Sequence, residues 1–498
     1  MKKIKFVIAI LFSFCLTYGQ KENEDIFLDR NFWKTSPKVA KVKEMIDKGA
    51  DPVKLNQYAF DAVCYAILEN APLESIKYLL SIKGNEVDKF THDGRNYFMW
   101  AAYKGNIDLL QHLIEKGSDT KIVDDHGYNP ITFVAVTGQQ NFKVYDLLLK
   151  NGSLIKDLNR EGANSLLLLS PYLKDFAAVR YFTDKGLKIF DKDYEGNTMI
   201  SYAARGGNEE IIKKLIELGV DYQTKNKNNG NAFMFAARGF RGSTNKLEFF
   251  KFLEKIGINA NIITKENETP LHALAFRQKD RKVFELFIKK GVDPNRENND
   301  GNTAFINAVR SNNDEIIKFL QGHTKNINHK NKEGISALVY AFRNGDKELA
   351  EFLLENGSNI LIKDKNKRNI IAHLFDSFSY SNKENFDVLL DMSLKMGVNP
   401  NDVFEGNNNL IHLACEKMSN FLVKKAISFD QEINQKNDNG LTPLHLAAMK
   451  SKDNKVLKIL IDGGADKTVL TDFDESVYDL AKENEFLIAN KVNIEFLK

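Results

Sequence analysis

The chain has 498 residues, 43% of them hydrophobic and 28% charged, with 70 basic and 67 acidic side chains and 9 Pro. Apolar content of this order, mixed with charge throughout, excludes a disordered tail, a collagen-like fibre and a multi-span membrane protein. The near-neutral balance also excludes a global field drawing the chain to nucleic acid or an anionic membrane, so any charge-based recognition must be local.

At the N-terminus, Lys2, Lys3 and Lys5 precede a mostly apolar run from Phe6 to Leu16, and Gly19 stands before Gln20. This is the pattern of a secretory signal, and the run is about half the ~20 residues that a membrane span needs. Residues 1–19 are therefore read as a cleaved signal peptide, which exports the mature chain to a periplasm or beyond the cell and leaves it no integral membrane segment. Cleavage removes three Lys and leaves 67 groups of each sign. Cys64 and Cys415, the cysteines that remain, lie far apart in apolar helical stretches and read as inert core residues.

Residues 20–58 read as an N-terminal segment and capping unit. Phe27, Leu28, Phe32 and Trp33 supply its inner helix, and Ser36-Pro37 starts a second helix carrying Val39, Val42, Met45 and Ile46, with Pro at the first helical position. From Ala59 the chain repeats itself. Tight-turn slots fall at Ala59, Gly94, Gly127, Gly162, Gly196, Gly230, Asn267, Gly301, Gly334, Lys367, Asn407, Gly440 and Asp474, at intervals of 33 to 40 residues with a mean near 35. Such regularity is the mark of a repeat architecture. A second landmark keeps step: Gly117-Ser118-Asp119, Gly219-Val220-Asp221, Gly291-Val292-Asp293 and Gly464-Ala465-Asp466 each follow apolar residues at helical spacing, and the Gly ends the helix as a left-handed cap. Each unit is turn, short helix, turn, longer helix, cap. One helix pair cannot bury both its faces, so the units must stack.

Asn439-Gly440-Leu441-Thr442-Pro443-Leu444-His445-Leu446-Ala447-Ala448, followed by Gly463-Gly464-Ala465-Asp466, resembles an ankyrin repeat almost letter for letter, and Thr269-Pro270-Leu271-His272 repeats the signature. Asn96 to Ala102 and Asn197 to Ala204 keep the pattern without the letters. The resemblance covers about residues 26 to 498 and implies an all-α ankyrin-repeat solenoid of stacked helix pairs with short β-hairpin fingers, capped at both ends. It further implies a concave face lined by fingers and short helices. Residues 59–473 are read as about twelve repeats and 474–498 as a C-terminal capping repeat. Two units are long, with extra chain around Arg238 to Asn245 and Asp376 to Glu384, both between inner and outer helices.

Catalytic patterns are scarce: the sequence has no Gly-x-Ser-x-Gly elbow, no phosphate loop and no His-Glu-x-x-His helix. No two His stand at i, i+4, and Asp191 to Gly196 begins like a calcium loop but carries Tyr202 where the bidentate Glu belongs. The chain is read as non-enzymatic, without metal or cofactor. His272, His412 and His445 occupy the signature slot, where the resemblance implies hydrogen bonds to neighbouring turns.

The most informative feature is a row of arginines. Arg205, Arg238, Arg310 and Arg343 occupy the end of the short helix in their units, with Arg277 one place further on, so five of thirteen Arg share one slot in five consecutive units. With neighbouring helices about 8 to 10 Å apart, the row is roughly 35 to 40 Å long. Guanidinium forks suit carboxylates, phosphates and sulfates. Two readings follow: a groove for an acidic ligand or polyanion, or internal pairing with Asp193, Glu195, Glu266, Glu297 and Asp300 on adjacent fingers. Tyr103, Tyr172 and Phe276 stand near the same slot and are candidate contact aromatics. Lys330, Lys332, Lys363, Lys365, Lys367 and Arg368 make two neighbouring fingers basic. Taken together, the sequence predicts an exported, monomeric bacterial scaffold or inhibitor that binds a protein partner on its concave face.

Overall fold

A computed structural model describes residues 25–240 and 242–498. The expected signal peptide lies outside these residues. The chain divides into two units, one comprising residues up to 203 with 210–220, the other 204–209 with 221–498.

Both units are built from helix pairs, and among the described residues there is no strand. In the first unit the pairs are Ala62–Leu68 with Leu73–Leu80, Tyr97–Lys104 with Ile107–Glu115, Pro130–Val136 with Phe142–Lys150, and Ser165–Leu169 with Ala177–Asp184. The second contains Ala232–Arg238 with Leu247–Lys255, Pro270–Leu274 with Arg281–Lys289, Ala304–Arg310 with Asp314–Gln321, and Ala337–Asn344 with Lys347–Glu355. It continues with Ile370–Asp376 and Lys383–Lys395, Leu410–Glu416 and Asn420–Ile427, Pro443–Lys450 and Lys455–Asp462, and Val477–Glu483 with Glu485–Ala489.

The two helices of a pair differ in sequence because they differ in surroundings. The short helix packs against its own partner and against the short helices before and after it, so it is apolar nearly all round; every residue from Ala304 to Val309 is buried. The longer helix is amphipathic: in Arg281–Lys289, Val283, Phe284 and Phe287 are buried while the charged positions face out. Short helices start on a side chain that holds a free N–H, as Asn96, Asn164, Thr303 and Asn369 do, and Asn129 and Thr442 close full capping boxes.

Turn slots adopt the left-handed conformation whether or not they hold glycine: φ is 81° at Gly127, 59° at Ala59, 61° at Lys367 and 62° at Asp474. At Gly230 the positive φ has moved one residue back, to Asn229 at 63°. Gly334 is required twice over, since a Cβ there would lie 2.6 Å from the backbone nitrogen of Lys365 in the next finger. That close approach lets successive fingers join main chain to main chain: Lys332 N–H donates to Asp300 O at 2.9 Å, Lys365 to Glu333 O at 3.1 Å and Glu405 to Asn366 O at 2.9 Å. Within a finger the two arms meet only at isolated bridges such as Lys330 with Ser336, so the expected β-hairpins are tight turns one bridge long.

Three local expectations change. Pro37 stands outside its helix, which runs Val39–Asp47 behind an extended Lys38; its carbonyl instead accepts from Ser75 Oγ at 2.7 Å. The aromatic N-terminal segment forms two short helical pieces, Ile26–Leu28 and Arg30–Lys34, tied by Trp33 Nε1–H to Phe27 O at 2.8 Å. Much of the Asp376 to Glu384 stretch is absorbed into helix: Asp376 ends the short helix, Tyr380–Asn382 makes a 3-10 turn, and the following helix runs for 13 residues. Cys64 and Cys415 are buried free thiols, and burial raises the pKa of both, which keeps them protonated.

Candidate functional site

The surface that the sequence singles out lies where the short helices end. In the second unit Arg238 and Arg310 are the last residues of their helices, Arg343 is one place from the end, and Arg277 follows Pro270–Leu274. Arg205 closes Met199–Arg205. The carbonyl end of a helix carries partial negative charge, so arginine is electrostatically at home there.

The partners of these arginines differ from the expected ones. Arg205 Nε–H donates to Gly239 O at 3.2 Å and its guanidinium lies 5.7 Å from the Phe240 ring centroid. Arg238 meets Glu268 at 3.3 Å, an acid outside the set anticipated from sequence. Arg310 stands 6.0 Å from the Tyr340 ring, and neither it nor Arg277 makes an ion pair among the described residues; both are exposed. Two of the anticipated acids are engaged elsewhere: Asp193 accepts from Asn197 and Tyr202, and Glu297 lies 3.8 Å from His329.

Arg343 leads into a cluster that sequence reasoning missed. Its guanidinium, a donor only, lies 3.1 Å from His373 Nδ1, which must therefore accept and leave the ring proton on Nε2. Nε2 faces Asp364 Oδ2 at 3.3 Å without the alignment of a hydrogen bond. Asp364 also accepts from Arg368 Nε at 2.9 Å and from the backbone N–H groups of Asn366 and Arg368. Burial pushes the Asp364 carboxyl up, but contacts with His373 and Arg368 outweigh it and hold the pKa at about 2. Burial, with the charges of Arg343 and Arg368, lowers the pKa of His373 against the pull of Asp364, so the imidazole is neutral.

The same row changes sign further along. Asp376 and Glu416 are the last residues of Ile370–Asp376 and Leu410–Glu416, where Arg310 stands in its own helix. A carboxylate at a helix carbonyl end is disfavoured, and each is compensated by a lysine of the following repeat: Lys417 lies 2.7 Å from Asp376, and Lys450 pairs with Glu416. Burial raises the pKa of Asp376, but Lys417 and Arg368 overcome it and the net shift is downward. Counting nine residues on from the turn slots at Lys367 and Asn407 would have found both acids. Beside them a cleft of about 440 Å³ is lined by Arg368, Glu405, Asn408, His412, Glu416 and Asn437, among others.

The three aromatics separate. Tyr103 is half-buried against Trp100 and Phe133, and Tyr172 is half-buried with its hydroxyl donating to Val136 O at 2.5 Å and its ring against Gly138. Phe276 is 39% exposed beside Arg277. The signature histidines behave as expected: Nδ1 of His272 and His445 accepts from the cap backbone N–H, while Nε2 reaches Asn302 O at 3.1 Å and Val469 O at 3.0 Å in the next repeat. His412 likewise reaches Leu441 O at 3.2 Å. Burial lowers the pKa of all three, to about 4 at His412.

A family model for ankyrin repeats in three copies matches residues 63–161, 98–193, 200–297, 233–331, 271–364 and 374–471, and one for many copies matches 171–216. Among curated proteins the chain is similar to the human transient receptor potential cation channel subfamily A member 1, 26% identical over 37% of this chain and 16% of that protein. It is also similar to palmitoyltransferase AKR1 of Lachancea kluyveri, 25% identical over 40% of this chain and 27% of that one. These matches span about a quarter or less of each relative. The human ASB11 ankyrin repeat domain aligns with a TM-score of 0.37 at 21% identity, over 45% of this chain and 97% of that one.

Proposed function

This chain belongs to the ankyrin repeat family, and from that premise we propose that it is a non-enzymatic scaffold or inhibitor that binds a protein partner on the face lined by its short helices. The observation that carries the reading is the contrast within a repeat. The body of a short helix such as Ala304–Arg310 is buried, and the variation is concentrated at the exposed end, where Arg277, Arg310 and Phe276 face solvent. A preformed surface of this kind loses little ordering entropy on binding. We place the protein in a bacterial envelope or the extracellular space because of the signal pattern in residues 1–19 and the Lys-, Asn- and Ile-rich composition.

A photoreactive phenylalanine analogue at position 276 tests the surface against the same group at Lys289, on a longer helix. Partner crosslinking at 276 and not at 289 is expected; the reverse pattern moves the binding face and sinks the reading. Location is tested by fusing residues 1–19 to a reporter active only outside the cytoplasm, where an inactive fusion would refute export. A second reading, an acidic ligand or polyanion held by the arginine row, is favoured by one observation: Arg277 and Arg310 make no ion pair among the described residues. Steep loss of binding with salt would support it.

A further inference from the structure

We propose that the stretch from Arg277 to Arg343 receives an extended acidic segment of a protein, with carboxylates spaced about three residues apart. The inference rests on the reading that the short-helix ends form the contact surface, and it names what that surface takes.

Three consecutive short helices, Pro270–Leu274, Ala304–Arg310 and Ala337–Asn344, pack side by side, and each presents one arginine at or just beyond its end. Arg277 and Arg310 make no ion pair among the described residues, and Arg343 spends one donor on a neutral imidazole. Two exposed guanidinium groups and one half-buried one therefore have donors to spare, at one per repeat. Packed helices lie about 8–10 Å apart, and an extended chain in the polyproline II form rises about 3.1 Å per residue with three residues per turn, so every third side chain returns to the same face. The step from one arginine to the next thus matches about three residues of extended peptide.

The same spacing argues against a polyanion. A nucleic-acid strand carries a phosphate about every 3.4 Å, so a row this sparse would leave most of its charges unmatched. Beside the guanidinium groups stand two aromatics, Phe276 exposed and Tyr340 against Arg310, which suit the side chains between the acids of a peptide. The row also has ends. Arg238 already holds Glu268, and beyond Arg343 the charges are closed off, Asp376 by Lys417 and Arg368 and Glu416 by Lys450. The acidic run of the partner is accordingly short, about seven to ten residues with three acids.

The test uses residues 20–498 and two labelled ten-residue peptides in a Gly/Ser background, one with Glu at positions 2, 5 and 8 and its isomer with three adjacent Glu, read by fluorescence anisotropy. The spaced peptide is expected to bind about tenfold more tightly than its isomer, and to lose about tenfold in the Arg277→Gln, Arg310→Gln, Arg343→Gln variant, whose melting curve should match that of Arg343→Gln alone, which loses the bond to His373. In Arg310→Glu, replacing the central Glu of the peptide by Lys should restore binding. Equal binding of the two isomers, or tighter binding of a sulfated glycan or polyphosphate than of the spaced peptide, would overturn the inference. If the isomers bind alike while position 276 still crosslinks to a partner, the acidic segment fails and the scaffold reading stands; if crosslinking at 276 also fails, both fall.

Discussion

Two stretches of the same row treat charge in opposite ways. From Arg277 to Arg343 the short-helix ends carry cations that are exposed or rest on a neutral partner, whereas at Asp376 and Glu416 the charge is reversed and closed off by Lys417 and Lys450 of the next repeat. Arg310, Arg343, Asp376 and Glu416 all stand nine residues on from their turn slots, so the register is the same in both. What differs is whether the following repeat supplies an opposite charge within reach. A repeat fold therefore lets one position serve either the stack or the surroundings, and the ion pairs tell which.

The largest effect expected lies at the junction of the two stretches. Asp364→Ala removes the acceptor for Arg368 and the finger N–H groups and leaves His373 facing two cations, so stability should fall by roughly 3 kcal/mol in chemical denaturation, the cost of breaking a buried pair. A loss below about 1 kcal/mol would show that the cluster is dispensable. Next comes acid. His412 is held neutral with a pKa of about 4 against an ordinary 6.5. The unfolded chain binds its proton first, so the stabilisation is full above about 6.5 and is lost as pH falls toward 4, by roughly 1 kcal/mol per unit. Asp364, with a pKa of about 2 against 3.8, adds a second loss below 3.8. A melting temperature unchanged between pH 7 and 4.5 would contradict this account of the buried histidines.

The closed stretch can be opened directly. Asp376→Asn with Glu416→Gln removes one half-buried and one exposed carboxylate, frees two lysines and should cost about 1 kcal/mol. It should also strengthen binding of the spaced acidic peptide by a few-fold; weaker binding would mean that the row does not act as one surface. The smallest effect is expected at the open stretch itself: Arg277→Gln and Arg310→Gln should each change stability by less than about 0.5 kcal/mol. A larger loss at Arg310 would assign its place over Tyr340 to packing instead of recognition.

The turn at Lys367 and the signature histidines were readable because each depends on residues within one unit: a tight turn, a cap three residues away, a helix stop. Pro37 was misplaced by a rule of equal locality, since an extended Lys38 moves the helix start to Val39 and lets Pro37 O receive the Ser75 hydroxyl 38 residues on. Of the candidate contact residues, Phe276 is open to solvent, while Tyr103 is drawn against Phe133 of the next unit and Tyr172 onto Val136 O of the preceding one. An aromatic at a helix end looks the same in the sequence whether or not a neighbour covers it.

The sequence by itself determined the repeat, its period, the helix pairs and the arginine slot, because these follow from apolar spacing and from residues that start, stop and turn the chain locally. Only the tertiary structure decided which charges in that slot are spent. Arg238 finds Glu268, Asp376 finds Lys417 and Arg343 finds His373 across gaps of 30 residues or more, and whether two long side chains meet depends on how successive fingers and helices are stacked, a distance that no single repeat encodes.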